Sequence, residues 1–306
     1  MLFRKQSRSN KLTGVYIGDR YLALATVAHE RGRAAVLERA EWCEFSTQDD
    51  VSRRLGTYLD GERQPINLVL RDDAYQLLLV EAPRVEASEL RAAVRWKVKN
   101  LIDFHIDDAV IDVFEIPGQE NRPQGQSMMY AVAARARVVR EAIDQFEQAD
   151  LNLQVIDATE MALRNLAART DEDVRGVAML YLAENHGIIT LTRQSSLYLS
   201  RRLEVGTEAL ARYGDEATDQ ITLEIQRSLD YYDSHFAQPP LAALRIVPGF
   251  EGQQQLAEAL GERLNLNVAL LDGAAVVDCR EAFPEQAPAA LVLALGGALR
   301  REQTSL

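Results

Sequence analysis

The chain has 306 residues, 47% of them hydrophobic and 26% charged, which are ordinary proportions for a globular protein. This length is too great for one small core, so two domains are expected. The 34 basic and 46 acidic residues give a net charge of −12, which argues against a nucleic-acid or anionic-lipid surface. Two cysteines far apart in sequence and no long apolar run predict a cytoplasmic protein without disulfides or a membrane span.

Two similar stretches organise the chain, one at 14–40 and one at 176–203. The basic residues 1–13 before the first stretch predict a flexible, solvated tail. Each stretch begins Gly-Val, reads as short strands with tight turns, and places a tyrosine (Tyr16 or Tyr181) before its first turn. Such a duplicated unit is typical of two-lobed folds that hold a nucleotide between the lobes. Two unrelated meanders in a mixed α/β protein are the alternative.

Helices and strands alternate along the rest of the chain. Between the two stretches the patterns predict, in order, a helix at 49–59, a hairpin of strands at 66–70 and 75–81, a helix at 88–101, strands at 107–116 and 127–134, a helix at 138–149, a strand at 154–157 and a helix at 161–169. Beyond them we predict a helix at 219–236, a strand at 244–247, a helix at 253–264, a strand at 268–271 and a helix at 289–300. The order is α/β, and it divides into a first lobe at 14–84, an inserted α+β subdomain at 85–157 and a second lobe at 158–306.

No recognised catalytic or metal-binding motif is present in the sequence. The four histidines are scattered without ligand spacing, so neither a catalytic residue nor a metal site is predicted. The adjacent acids Asp72 and Asp73 fall in a turn, where solvated or capping carboxylates are more common than catalytic ones.

The remaining candidate is a nucleotide site between the two lobes. In the first turn, Gly18 would let backbone N–H groups approach a phosphate. However, Tyr16 and Tyr181 stand where an actin-like ATPase needs carboxylates around Mg²⁺, and phenol oxygens are poor ligands for that cation. Gly249 and Gly252 would let an adenine approach, although they suit an ordinary strand-to-helix turn equally well.

Several runs of sequence resemble the PilM family of type IV pilus assembly proteins. They are LRAAVRWKVKNLIDFHIDDAVIDVF at 90–114, LEIQRSLDYYDSHF at 223–236 and PAALVLALGGALR at 288–300, and the last two are nearer to its MSHA-type branch. The resemblance covers almost the whole chain. It implies an FtsA-like, actin-like two-lobed fold with the inserted α+β subdomain in the first lobe and a trimmed second-lobe subdomain. The family's nucleotide-binding loops carry aspartates where this chain has Tyr16 and Tyr181.

The resemblance therefore implies a degenerate nucleotide site. Of the family's nucleotide contacts only Gly18, Gly249 and Arg227 are matched, so no cofactor is predicted and weak ATP binding is left open. In the family, the face that carries Arg227 borders the cleft. We expect Arg227 to pair with a carboxylate such as Glu184 or Asp19 and so to close the empty cleft.

The function implied by the resemblance is that of a cytoplasmic scaffold in pilus assembly. It would bind the cytoplasmic tail of an inner-membrane PilN-like protein, link it to the assembly ATPase and reach the membrane only through partners. We place the tail against a basic helix face and the neighbouring hairpin at 66–81, where an exposed strand edge could add a peptide strand. The basic residues of that face are Arg91, Arg95, Lys97 and Lys99.

Two other functions stay open at this point. One is a working ATPase or a sugar-kinase-like phosphotransferase on the same fold, which the two tyrosines argue against. The other is an FtsA-like polymerising protein, which would usually carry a C-terminal amphipathic membrane helix. The sequence does not decide whether the chain forms a homo-oligomer.

Overall fold

The computed structural model describes residues 10–29, 34–59, 61, 63–119, 127–236, 238–280, 283–284 and 286–301. Its strands are β1 (Lys11–Ile17), β2 (Tyr21–Ala28), β3 (Val36–Glu44), β4 (Ile66–Val69), β5 (Tyr75–Glu81), β6 (Ala109–Glu115), β7 (Met128–Arg135), β8 (Leu153–Asp157), β9 (Val177–Leu182), β10 (Gly187–Arg193), β11 (Ser196–Leu203), β12 (Ala243–Ile246), β13 (Asn267–Leu270) and β14 (Asp278–Cys279). Its α-helices are α1 (Gln48–Tyr58), α2 (Leu90–Val98), α3 (Ala136–Gln148), α4 (Thr159–Ala167), α5 (Thr207–Tyr213), α6 (Asp215–Phe236), α7 (Gln253–Arg263), α8 (Gly273–Val276) and α9 (Ala289–Ala298).

Two sheets repeat one arrangement, as the paired stretches of sequence predict. The first has the strand order β14-β3-β2-β1-β4-β8, and the second has the order β11-β10-β9-β12-β13. In each sheet an antiparallel three-strand meander is extended by a parallel strand, β4 beside β1 and β12 beside β9. The three strands predicted in the second stretch have the observed bounds of β9, β10 and β11.

Helices α4 and α9 form the layer between the two sheets. Because side chains alternate along a strand, Tyr16 and Ala23 of the first sheet and Tyr181 of the second face this layer and share its apolar core. The opposite face of the first sheet is covered by α1 and α3, and that of the second by α6 and α7. Contact between α9 and β1 requires glycine at position 14, since a Cβ there would lie 1.9 Å from the carbonyl oxygen of Ala294.

The last part of the chain returns to the first sheet. Strand β14 pairs with β3, and α9 packs mainly against β1, β2 and α4, although both segments lie inside the stretch predicted as the second lobe. The predicted boundaries of the lobes therefore do not coincide with the membership of the sheets. The reason is that α9 is apolar on all sides. Such a pattern predicts that the helix is buried, but it does not indicate which sheet the helix packs against.

The inserted subdomain is built around a third sheet of order β5-β7-β6, which α2 covers; its strand β5 comes from the stretch predicted as the first lobe. The predicted hairpin of strands at 66–70 and 75–81 is wrong. Strand β4 lies parallel between β1 and β8 in the first sheet, whereas β5 pairs with β7. The intervening turn thus carries the chain from one sheet to another, and its polar sequence looks the same in either case.

The inserted subdomain also packs on the second lobe. Tyr75, Ile116 and Tyr130 belong to the same apolar core as Tyr198 and the outer face of the second sheet. The backbone N–H of Ser200 donates a hydrogen bond to the hydroxyl of Tyr130 at 2.9 Å. The subdomain therefore joins the two lobes.

Smaller expectations need correction at the ends of elements. Leu101, predicted on the apolar stripe of α2, follows the end of that helix and is exposed, and Ile143 on α3 is also exposed. Most of the predicted tail at 1–13 lies outside the described residues, but residues 11–13 begin β1. No helix in the described parts of the chain is long and apolar enough to cross a membrane.

Candidate functional site

The two turns that face the cleft are closed by hydrogen bonds between their own backbone groups. The N–H of Gly18 donates to the carbonyl of Tyr21 at 2.9 Å, which closes the turn between β1 and β2. The N–H of Ala183 donates to the carbonyl of His186 at 2.9 Å and closes the turn between β9 and β10. Gly18 also packs on a ring, since a Cβ there would lie 3.1 Å from Cε1 of Tyr16. Two donors that a phosphate would need are therefore already taken.

The turn between β9 and β10 is also covered by the segment that leads into α5. The N–H groups of Thr207 and Glu208 donate to the carbonyls of Ala183 and Glu184, both at 2.9 Å. Gly206 makes this approach sterically feasible, because a Cβ there would lie 2.4 Å from the carbonyl oxygen of Glu184. The short link after β11 thus packs directly against the turn.

Tyr16 and Tyr181 meet in the inner layer, at the ends of β1 and β9. Their phenol groups are close enough to interact, and both side chains are buried. Burial, followed by the neighbouring Tyr181, raises the pKa of Tyr16 well above its usual range, and burial raises the pKa of Tyr181 to about 12. Both phenols therefore stay neutral at physiological pH, and neither can supply the negative oxygen ligand that Mg²⁺ favours.

Asp72 forms the main ion pair between the lobes. Its carboxylate bonds Nε2 of His186 in the β9–β10 turn, and Nη1 of Arg202 on β11 donates to it at 2.9 Å. The side chain is only 7% exposed. Burial raises the pKa of Asp72, but the hydrogen bond and charge of His186, together with Arg202, outweigh burial and hold the pKa below its usual value. Asp72 is therefore not the solvated turn residue predicted from the sequence.

A second pair of contacts flanks Asp72. Arg71 bonds both Asp19 in the β1–β2 turn and Asp73 in its own turn. Behind them the hydroxyl of Tyr75 donates to the carboxylate of Glu160 at the start of α4. Burial raises the pKa of Glu160 to about 7, although the hydrogen bond from Tyr75 opposes that rise. Protein groups thus occupy the space between the turns.

The other predicted nucleotide contacts do not form one site around these groups. Gly249 packs on the start of α9, since a Cβ there would lie 2.3 Å from the backbone nitrogen of Ala289. Gly252 caps α7 with a φ of 80° and has open space around it. The expected pairing of Arg227 is wrong, because its guanidinium lies on the exposed side of α6 and bonds Glu224 at 2.5 Å.

The predicted basic face of α2 is largely neutralised by nearby groups. Arg91 donates to Asp112 at 3.1 Å, and Lys97 donates to Glu81 at 3.2 Å. Arg95 donates to backbone carbonyls below the helix, and Lys99 lies over the ring of Trp96, which is 76% exposed. Strand β5 is an edge strand of its sheet, whereas β4 is paired on both sides, so only the β5 part of the predicted groove has a free edge.

A groove of about 560 Å³ opens in the first lobe, between α1 and α3 at the carboxyl ends of β1 and β4. Its floor is apolar, and its rim carries the acids Glu141 and Asp144 of α3. Nε2 of Gln145 reaches Oγ of Ser52 across it at 3.3 Å. No sequence pattern predicts this groove, because its lining residues come from four separate elements. Within the described residues, no group of acids, histidines or cysteines could hold a metal ion.

Sequence reasoning missed the groups that close the cleft. From the sequence, Asp72 is one of two turn acids and His186 is one of four scattered histidines. A usable signal for His186 is its place in the turn after Tyr181, which faces the predicted cleft. Arg202, on the strand after that turn, gave no such signal.

Comparison with known proteins gives matches by structure. No protein-family model and no curated protein sequence matches the chain. The fold is similar to a structure described as the PilM–PilN type IV pilus biogenesis complex, with a TM-score of 0.73, 20% identity, and coverage of 95% of this chain and 99% of that one. It is also similar to the cytoplasmic domain of EpsL, an inner-membrane component of the type II secretion system of Vibrio cholerae, with a TM-score of 0.52, 9% identity, and coverage of 95% and 96%. The predicted actin-like two-lobed fold is thereby confirmed.

Proposed function

We propose that this chain is a scaffold protein of a type IV pilus assembly machine, of the MSHA type represented by MshI. The observation that carries the proposal is the likeness of fold to the PilM–PilN complex over nearly the full length of both chains. In this role the chain binds the cytoplasmic tail of a PilN-like membrane protein and links that tail to the assembly ATPase. It works in the cytoplasm, next to the inner membrane.

We propose that the tail binds in the groove between α1 and α3. Its apolar floor suits two or three apolar side chains of an extended or helical peptide. Its rim acids, Glu141 and Asp144, suit a basic peptide. Cytoplasmic segments next to membrane spans are rich in lysine and arginine, so the charges complement each other.

The test is calorimetric titration of the full chain with the cytoplasmic tail peptide of a PilN-like membrane protein from the same genome. We expect Gln145→Trp, which fills the groove, to abolish binding. Glu147→Trp, on the exposed side of the same helix, should leave binding unchanged. The basic face of α2 is tested by Arg95→Glu combined with Lys97→Glu. If only that pair removes binding, the tail binds at α2, and if the unmodified chain does not bind, the scaffold proposal fails.

The proposal includes a nucleotide site without hydrolysis. Neutral, buried Tyr16 and Tyr181 supply no carboxylate for Mg²⁺, and the nearby carboxylates of Asp19 and Asp72 are held by protein donors. A missing metal charge removes several kcal/mol of transition-state stabilisation. Phosphate release from Mg²⁺-ATP should therefore stay at background. Release that Gly18→Trp abolishes would show a working ATPase instead.

A further inference from the structure

The turn after β4 crosses from the first lobe to the second. Asp72, at its centre, turns away from its neighbours and bonds only second-lobe donors, His186 and Arg202, among the contacts described. Its neighbours Arg71 and Asp73 instead bond each other. One carboxylate of the first lobe is thus held, almost fully buried, by the second.

The two donors form a compact pair. His186 ends the β9–β10 turn, and Arg202 on β11 lies opposite Ile188, two residues further along the chain. Both side chains reach the same carboxylate oxygen of Asp72, so they converge on one point. Two convergent donors, one of them a guanidinium, are an arrangement that binds an oxyanion.

We propose that His186 and Arg202 form a site for a small oxyanion, and that Asp72 occupies it as a built-in ligand which keeps the lobes closed. In two-lobed proteins that close on a ligand, the ligand stabilises the closed form only in proportion to its concentration. A carboxylate fixed to the other lobe has a high and constant effective concentration. The closed form then needs no nucleotide.

The surroundings limit what could replace the carboxylate. The turn that carries His186 is covered by Gly206 and the start of α5, and the buried side chains of Tyr16 and Tyr181 fill the inner layer beside it. Removal of the Asp72 side chain therefore frees space for a group about the size of the lost carboxylate. Inorganic phosphate is somewhat larger, and the half-exposed side chain of Arg202 leaves room for it, whereas a nucleotide is far too large.

The test is thermal unfolding of the full chain in phosphate and in chloride, at fixed pH and matched ionic strength. Asp72→Ala should lower the Tm by about 5 °C, because it leaves the donors of His186 and Arg202 without their partner. Asp73→Ala, the matched control in the same turn, should change the Tm much less, because Asp73 bonds only Arg71 of its own lobe. Phosphate at millimolar concentration should restore several degrees to Asp72→Ala and nothing to the unmodified chain.

Two further variants keep the test decisive. Asp72→Ala combined with Arg202→Ala should lose the response to phosphate, since one of the two donors is gone. If Asp72→Ala does not fold, Asp72→Ser takes its place, because it also removes the carboxylate and leaves room for an anion, and it should show a loss of Tm that phosphate reverses. The proposal is wrong if Asp72→Ala and Asp73→Ala unfold at the same temperature, or if phosphate shifts every variant equally. None of these outcomes depends on binding of the tail peptide, so this experiment and the test of the scaffold proposal are independent.

Discussion

Glu160 offers a quantitative check on the packing between the lobes. It lies at the start of α4, fully buried, and accepts a hydrogen bond from Tyr75 on β5. Asp72 in the turn after β4 also raises its pKa, and Arg202 on β11 lowers it. Burial dominates and raises the pKa to about 7 from an ordinary 4.5. Each factor of ten in proton affinity corresponds to about 1.4 kcal/mol. The raised pKa of Glu160 therefore corresponds to a free energy on the order of 3 kcal/mol.

The sign follows from which state binds the proton more tightly. The folded chain keeps Glu160 protonated up to about pH 7, whereas the unfolded chain ionises near its ordinary pKa. This residue therefore favours folding at acid pH, and that contribution is lost as the pH rises through about 7. Glu160→Gln cannot ionise, and its side-chain oxygen can still accept the bond from Tyr75. Between pH 5 and pH 8, the free energy of unfolding of the variant should therefore rise by up to about 3 kcal/mol relative to that of the unmodified chain.

The assay is thermal unfolding followed by far-ultraviolet circular dichroism at both pH values. The Tm of Glu160→Gln minus that of the unmodified chain should rise by about 5 °C from the lower pH to the higher one. Glu147→Gln, at an exposed position of α3, is the control and should give the same difference at both. A difference for Glu160→Gln that stays constant, or that shrinks as the pH rises, would refute the reasoning.

Two other predictions concern positions where the structure decides between opposite outcomes. Gly14→Ala should destabilise the chain by about 3 kcal/mol in urea unfolding, because its Cβ would meet the carbonyl of Ala294. Gly56→Ala is the control, because a Cβ at Gly56 in α1 would have nothing within 4 Å, and it should stabilise the chain by about 1 kcal/mol. Equal effects at Gly14 and Gly56 would contradict the packing of α9 against β1. Arg227→Ala should change the stability without nucleotide by less than about 0.5 kcal/mol, since Arg227 bonds only a neighbour on its own exposed face, and a clear fall in Tm would show a contact with the other lobe.

Local elements were largely predictable because their signals lie within a few residues. The period-two pattern and the turns at 183–186 and 194–195 define β9 to β11 without any knowledge of the fold. Pro239 and Pro240 follow α6 and stop its helical pattern. Strand pairing over long distances was less predictable. Nothing near β5 shows that its partner is β7 rather than β4, because both candidates are apolar and correctly spaced.

The candidate site was likewise predictable only in its local features. The loss of carboxylates at Tyr16 and Tyr181 is visible in the sequence, and it led to the expectation of a degenerate cleft. Which groups fill that cleft is not visible, because Asp72, His186 and Arg202 come together only when two sheets pack on one helical layer. Charge pairs of this kind depend on tertiary distance and have no local pattern.

The contact between β1 and α9 has a consequence for how the chain is made. Gly14 touches α9, which lies far later in the chain, so the inner face of the first sheet cannot be covered until that helix has been synthesised. Contacts of such large sequence separation slow folding, since a long loop must close before they form. The apolar strands β1 and β2 would remain open to aggregation throughout that delay. We therefore expect the newly made chain to depend on holding chaperones until α9 has left the ribosome.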